Sequence, residues 1–229
     1  MIFYFLFLLV GMITFLFSVY ELGKDDMTFI RKNVSLDGLF TTAFLTMGVG
    51  ILFARVFYVL FHFNSNYLNP LMFFLIFYYP GLSFPGGLLI GAIFLLFYAR
   101  RKKMPLGHTV DYFGLALLSA MPFGYIANAF LEPFSTYKHV FLPVIVTALF
   151  TIGAGILLPR THRHELKAGT LGASSILVVS FINFLTNVLN RTQAGELSIT
   201  STDIVSLVTF LTSLIFFIKQ EYILAKVKK

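Results

Sequence analysis

Residues 78–103 read YYPGLSFPGGLLIGAIFLLFYARRKK. A charge-free stretch with two prolines and four glycines runs into an apolar segment, which stops at four consecutive basic residues. An apolar run of this kind is a membrane span when it approaches the ~20 residues needed to cross a hydrocarbon core of ~30 Å. The basic block marks the end that stays on the cytoplasmic side. Pro80, Pro85, Gly86 and Gly87 sit at the opposite mouth of the span.

The rest of the chain repeats the pattern. Of 229 residues, 58% are hydrophobic and 12% charged, against about 45–50% and about 25% in ordinary soluble domains. Seven spans are expected at 1–20, 38–61, 84–99, 111–131, 139–158, 170–189 and 203–218. They form an all-α integral membrane protein, a single membrane domain over 1–229 with a bundle of about seven transmembrane helices. The segment 70–79, PLMFFLIFYY, is too short to span and reads as an interfacial or re-entrant piece. The N-terminal MIFYFLFLLVGMITFLFSVY has no basic n-region and no small-x-small cleavage site, so it reads as a retained first helix. Cysteine is absent, which excludes disulfides, thiolate metal sites and a cysteine nucleophile.

The basic residues set the orientation. With the N-terminus outside, the inner segments hold Lys24, Arg31, Lys32, Arg100, Arg101, Lys102, Lys103, Arg160, Arg163, Lys167, Lys219, Lys226, Lys228 and Lys229, which is 14 of the 17 basic residues. The outer segments hold Lys138 and Arg191, and Arg55 lies within the second span. That asymmetry is the positive-inside signature, with the C-terminus cytoplasmic. The net charge of +7 thus reads as a cytoplasmic anchor with affinity for anionic headgroups. No nucleic-acid module, P-loop or Ser-His-Asp order is present, and no cofactor is called for.

Polar residues inside spans are the candidates for chemistry. Arg55, in LFARVFYVLF, faces a polar partner or snorkels to the outer interface. Gly86-Gly87 suits close helix packing on spacing alone, with backbone approach to a ligand as the other reading. Asn128 and Glu132 share one helix face as i and i+4, fitting either a polar cavity open to the outer leaflet or an interhelical hydrogen bond beside a solvated carboxylate. Asn183, Asn187 and Asn190, at i, i+4 and i+7, form a polar stripe that must face protein or water. A cavity and a hydrogen-bond ladder both fit it. His162, His164 and Glu165 lie in a basic loop, where Arg160 and Arg163 repel a cation. They read as a solvated loop, and no metal site is expected.

Several stretches, in order, resemble the prolipoprotein diacylglyceryl transferase family: LTMGVGILFARVFYVLF, YLNPL, PGLSFPGGLLIGAIFLLFYARRKKMP, VDYFGLALLSAMPFGYIANAFLE and GELSITSTDIVSLVTFLTSLIFF. The resemblance covers about residues 38–218 and is most specific over 80–111. It implies transfer of a diacylglyceryl group from phosphatidylglycerol to the lipobox cysteine of a preprolipoprotein, at the outer face of the bacterial cytoplasmic (inner) membrane. It also implies a lipid-binding region containing Arg55, Gly86, Gly87, Tyr125, Asn128, Glu132, Asn183, Asn187 and Asn190.

The chain departs from the family where the chemistry is expected. Pro85-Gly86-Gly87 stands in place of His-Gly-Gly. Gly124-Tyr125-Ile126-Ala127-Asn128 replaces Gly-Arg-x-Gly-Asn, with Glu132 one place early. The family's Arg-x-x-x-Glu-x-x-Arg falls without a gap on Asn183, Asn187 and Asn190, and a shift of one brings Arg191 to the last arginine. Arg191 is therefore the one candidate catalytic residue. Three readings follow: a divergent transferase with weak or no activity, a non-catalytic relative that binds phospholipid or lipobox peptides, and a small membrane transporter, which the ordered motifs disfavour.

Overall fold

The computed structural model describes residues 2–24, 26–63, 73, 81–130, 141–162, 167–194 and 200–227, with side chains over 2–24, 26–63, 73, 81–130, 141–159, 167–189 and 200–218. Within them the chain is helical: α1 (Ile2–Gly23), α2 (Met27–Arg31), α3 (Leu36–Phe61), α4 (Phe84–Arg101), α5 (Leu106–Ala129), α6 (Phe141–His162), α7 (Thr170–Ala194) and α8 (Ser201–Val227). All but α2 are long and apolar enough to cross a membrane, giving seven candidate spans. The protein is an all-α multi-pass membrane protein. The expected interfacial piece at 70–79 lies outside the described residues except for Phe73.

Local chemistry sets several helix ends. Ser35 Oγ accepts the Gly38 N–H at 3.1 Å to cap α3. Pro85 occupies the first turn of α4, where a missing N–H costs nothing. At the α8 start, Asp203 reaches back to accept the Thr200 N–H at 3.0 Å and the Thr200 hydroxyl at 3.0 Å, which supplies the N3 half of a capping box. Helix α5 begins at Leu106, ahead of the expected 111. The polar Gly107-His108-Thr109 lowers hydropathy there, but Thr109 bonds the Pro105 carbonyl through both its N–H and its hydroxyl, at 3.0 Å each, and so continues the helix.

Side-chain contacts fix an alternating up-and-down arrangement. At one end of α1, Phe3 and Phe7 each stack on Phe130 with ring centroids 5.5 Å apart. Midway, the Ser18 and Ser119 hydroxyls meet at 2.8 Å. Just beyond the other end, Tyr112 donates to Asp26 at 2.6 Å. Helices α1 and α5 are thus antiparallel. Asn183 with Ser206, and Phe181 with Phe210, give α7 and α8 the same relation. The end carrying Arg100–Lys103 is called the basic end below, and the opposite one the far end.

Helix α5 is the most enclosed span and packs on α1, α4, α6 and α7. Its crossing with α7 depends on glycine: a Cβ on Gly114 would lie 2.6 Å from Gly172 Cα. Such close approach is how membrane helices gain dispersion contact where lipid offers no hydrophobic drive. Asp111, 1% exposed, seals the crossing by accepting the Gly169 and Gly172 N–H groups at 2.7 Å each. It satisfies donors that a helix N-terminus would otherwise leave unpaired in an apolar layer. Exposed Phe3, Leu6, Ile13 and Phe17 on α1, and Phe141, Ile145, Leu149 and Ile152 on α6, suit contact with lipid tails.

The five-residue α2 was not anticipated from sequence. Asp26 caps it, accepting the Thr28 N–H at 2.7 Å. Tyr112 donates to the same carboxylate, and His108 Nδ1 lies 3.5 Å from it. Burial raises the Asp26 pKa, but these hydrogen bonds and His108 outweigh it and hold the carboxyl below its ordinary value.

Candidate functional site

Of the sequence-derived candidates, Arg55, Gly86, Gly87, Tyr125, Asn128, Asn183 and Asn187 stand toward the far ends of α3, α4, α5 and α7. On α3, Arg55 does not snorkel. It is 2% exposed and is the largest fully buried side chain among the described residues. Its Nε donates to the Phe73 carbonyl at 2.9 Å and its Nη1 to the Gly81 carbonyl at 3.0 Å. The guanidinium lies 5.7 Å from the Tyr58 ring centroid, within cation–π range. Buried Tyr4 of α1 is within electrostatic reach of both Arg55 and Tyr58. A buried charge of this kind persists only when hydrogen-bonded, because an unpaired one in an apolar layer costs several kcal/mol, about 2.5–3.5 even on the most lenient insertion scales.

On α4, Pro85, Gly86 and Gly87 are all buried. A Cβ on Gly87 would come 2.7 Å from the Gly50 carbonyl oxygen and 2.9 Å from Ala54 Cβ, while one on Gly86 would meet the Phe57 side chain. Both glycines therefore pack α4 against α3, which is the packing reading of their spacing. Ser83 precedes the helix, and its N–H donates to the Ala54 carbonyl at 2.9 Å.

On α5, Tyr125 points inward. It is 4% exposed and shares an apolar cluster with Leu118, Met121, Val179 and Ile182. Gly124 and Asn128, one turn apart, lie on an exposed face, and a Cβ on Gly124 would meet nothing within 4 Å. Tyr125 and Ile182 belong to the same cluster, which places the parts of α5 and α7 bearing Asn128 and Asn183 toward the same end of the bundle. Asn183 is half-buried, and its Nδ2 donates to Ser206 Oγ of α8 at 3.2 Å. This is an interhelical hydrogen bond of the ladder type. Asn187 is half-buried one turn further on. The side chains of Glu132, Asn190, Arg191, His162, His164 and Glu165 lie outside those described. Among the described residues, no group of three or more His, Asp or Glu could hold a metal ion.

Sequence reading missed the partners that organise this end. Gly81 has φ +147°, a conformation open to glycine and strained for other residues. A Cβ there would enter the Tyr58 ring. The signal was the Pro80-Gly81 pair, which marks a turn without naming its partner. The Thr200–Asp203 cap has its own local signal, Thr-x-x-Asp. The described part of this end combines an apolar cluster around Tyr125 with a neutral interhelical hydrogen bond at Asn183, while its one described buried cation, Arg55, faces backbone carbonyls.

No curated protein matches the chain. Residues 1–219 of the 229, however, match the family model described as prolipoprotein diacylglyceryl transferase. With nearly the full length matched and seven spans in place, the chain belongs to the prolipoprotein diacylglyceryl transferase family.

Proposed function

We propose that the chain binds a glycerophospholipid, phosphatidylglycerol or a close relative, at the far ends of α3, α4, α5 and α7, and that it transfers a diacylglyceryl group weakly or not at all. The far end is then the outer face of a bacterial cytoplasmic membrane. A lipobox-containing preprolipoprotein is the acceptor, or simply the bound peptide if no transfer occurs.

Tyr125 carries this reading. Where the resemblance expects an arginine to hold the phosphate, the chain has a phenol enclosed by apolar side chains. The departing phosphate gains negative charge as its bond to the glyceryl carbon breaks. Fixed cations aimed at that charge stabilise the transition state more than the ground state, and such interactions raise rate. An arginine does so as a bidentate charged fork, whereas a phenol donates one neutral hydrogen bond. Removing one preorganised donor typically costs about 3–4 kcal/mol in the barrier.

Other positions point the same way. Pro85 offers neither charge nor a proton-transfer group where the resemblance expects histidine. Asn183 is polar but neutral, and its amide is engaged by Ser206. Lipid binding does not need those charges to the same degree, since shape, apolar contact and neutral hydrogen bonds serve it.

Complementation of a transferase-depleted strain tests the reading. The wild-type chain is expected not to restore lipoprotein lipidation. Robust rescue overturns the weak-transfer reading, and loss of that rescue on Arg191→Ala would assign Arg191 as the replacement cation.

A further inference from the structure

We infer that Arg55 is a positioning residue: it ties the chain ahead of α4 to the far end of α3, and thereby sets where the α4 N-terminus stands. The consequence for lipid rests on the binding reading above, whereas the tether itself is a geometric statement with its own test.

Four observations converge. The guanidinium bonds two backbone carbonyls well apart in sequence, those of Phe73 and Gly81. The side chain is enclosed, so the charge acts on those carbonyls rather than on water. Gly81 is the residue that its φ and the Tyr58 ring both require, and Tyr58 in turn lies against the guanidinium. Two residues later, the Ser83 N–H bonds Ala54, the neighbour of Arg55 on α3. From there the chain enters α4 with Gly87 against Gly50 and Ala54. Side chain, ring and backbone thus hold one short path from α3 to the start of α4.

Residue chemistry accounts for the choice of arginine. Its planar fork presents several N–H donors in fixed directions and can address two carbonyls at once. A lysine ammonium is a point donor on a flexible stem and does not span both with the same geometry. On this basis Arg55 holds the wall beside the bound lipid.

The cysteine-free chain allows a direct test in the purified full-length protein. A single cysteine replaces Ser83, which is 3% exposed and whose Oγ makes no hydrogen bond among the described residues, so the swap breaks no bond seen there. A second reporter replaces Ser180 of α7, which is 2% exposed. Labelling by a soluble maleimide is measured at each cysteine with Arg55, Arg55→Lys and Arg55→Gln. Arg55→Gln is expected to raise labelling at position 83 at least tenfold, Arg55→Lys to raise it less, and both to leave position 180 unchanged. Gly81→Ala, which keeps the charge but displaces the carbonyl, is expected to match Arg55→Gln and decides the matter if Arg55→Gln does not fold. Unchanged labelling at 83, or an equal rise at 180, overturns the tether. Binding to vesicles containing phosphatidylglycerol is measured on the same variants. Release at 83 with binding unchanged upholds the tether and overturns its link to the lipid reading.

Discussion

Replacing Asp111 by alanine is expected to weaken the close α5–α7 crossing. The carboxylate is buried and receives the Gly169 and Gly172 N–H groups at 2.7 Å each. Alanine leaves both donors at the α7 N-terminus unpaired, at about 1–3 kcal/mol each. It also removes a negative charge from the positive end of the helix dipole, adding about 0.3–1 kcal/mol. The expected loss is therefore about 2–7 kcal/mol, a large share of the roughly 5–15 kcal/mol typical of a folded domain. Asparagine keeps one acceptor oxygen and should lose about half as much, in line with one donor orphaned rather than two. Unfolding of the purified protein in mixed micelles with increasing SDS reads both values. A loss below about 1 kcal/mol for Asp111→Ala, or equal losses for the two variants, would refute this role, because two orphaned buried donors cost more than that together and more than one does.

Three further outcomes are expected. The carboxyl of Asp26 is held below its ordinary pKa, so its contribution is present above the unfolded-state value, about 3.9, and is lost as pH falls through the lower folded one. Tyr112→Phe removes a hydrogen bond that lowers the pKa, so acid release of α2 should begin at a higher pH. The chain lacks tryptophan, and a single Phe29→Trp reporter on α2 reads this by fluorescence. Gly87→Ala should push α3 and α4 apart and cost about 1–3 kcal/mol, as overpacking of a close contact does, whereas Gly124→Ala, with nothing within 4 Å of its Cβ, should be near neutral in the same SDS titration. A single cysteine at position 228 should resist an impermeant reagent applied to intact cells, while labelling there from outside would reverse the expected topology.

The seven spans were readable because long apolar runs and the Arg100–Lys103 block are strong, local signals. What stayed ambiguous depended on partners distant in sequence. Whether Arg55 snorkels or is enclosed turns on carbonyls at 73 and 81, and no local pattern supplies them. Gly86-Gly87 suited a helix seam on spacing, with a ligand-facing role as the other reading, and the facing Gly50, Ala54 and Phe57 were needed to show where they pack. The asparagine stripe announced a polar surface, but its first member pairs with Ser206 on another helix. Helix α2 was invisible because five residues carry too little periodicity, and a tertiary bond from Tyr112 helps to hold it. Tyr125 was noticed only through the family resemblance, since a tyrosine on an apolar helix carries no signal of its own.

The most direct measurement is transfer of labelled diacylglycerol from phosphatidylglycerol to a lipobox peptide by the purified protein, run beside a family member with His-Gly-Gly and its arginines intact. Loss of one or two preorganised cationic contacts, at about 3 kcal/mol each, predicts a rate at least about 100-fold lower, with phosphatidylglycerol still bound. Transfer within tenfold of the intact enzyme would contradict the proposal that the site has kept its lipid and lost its chemistry.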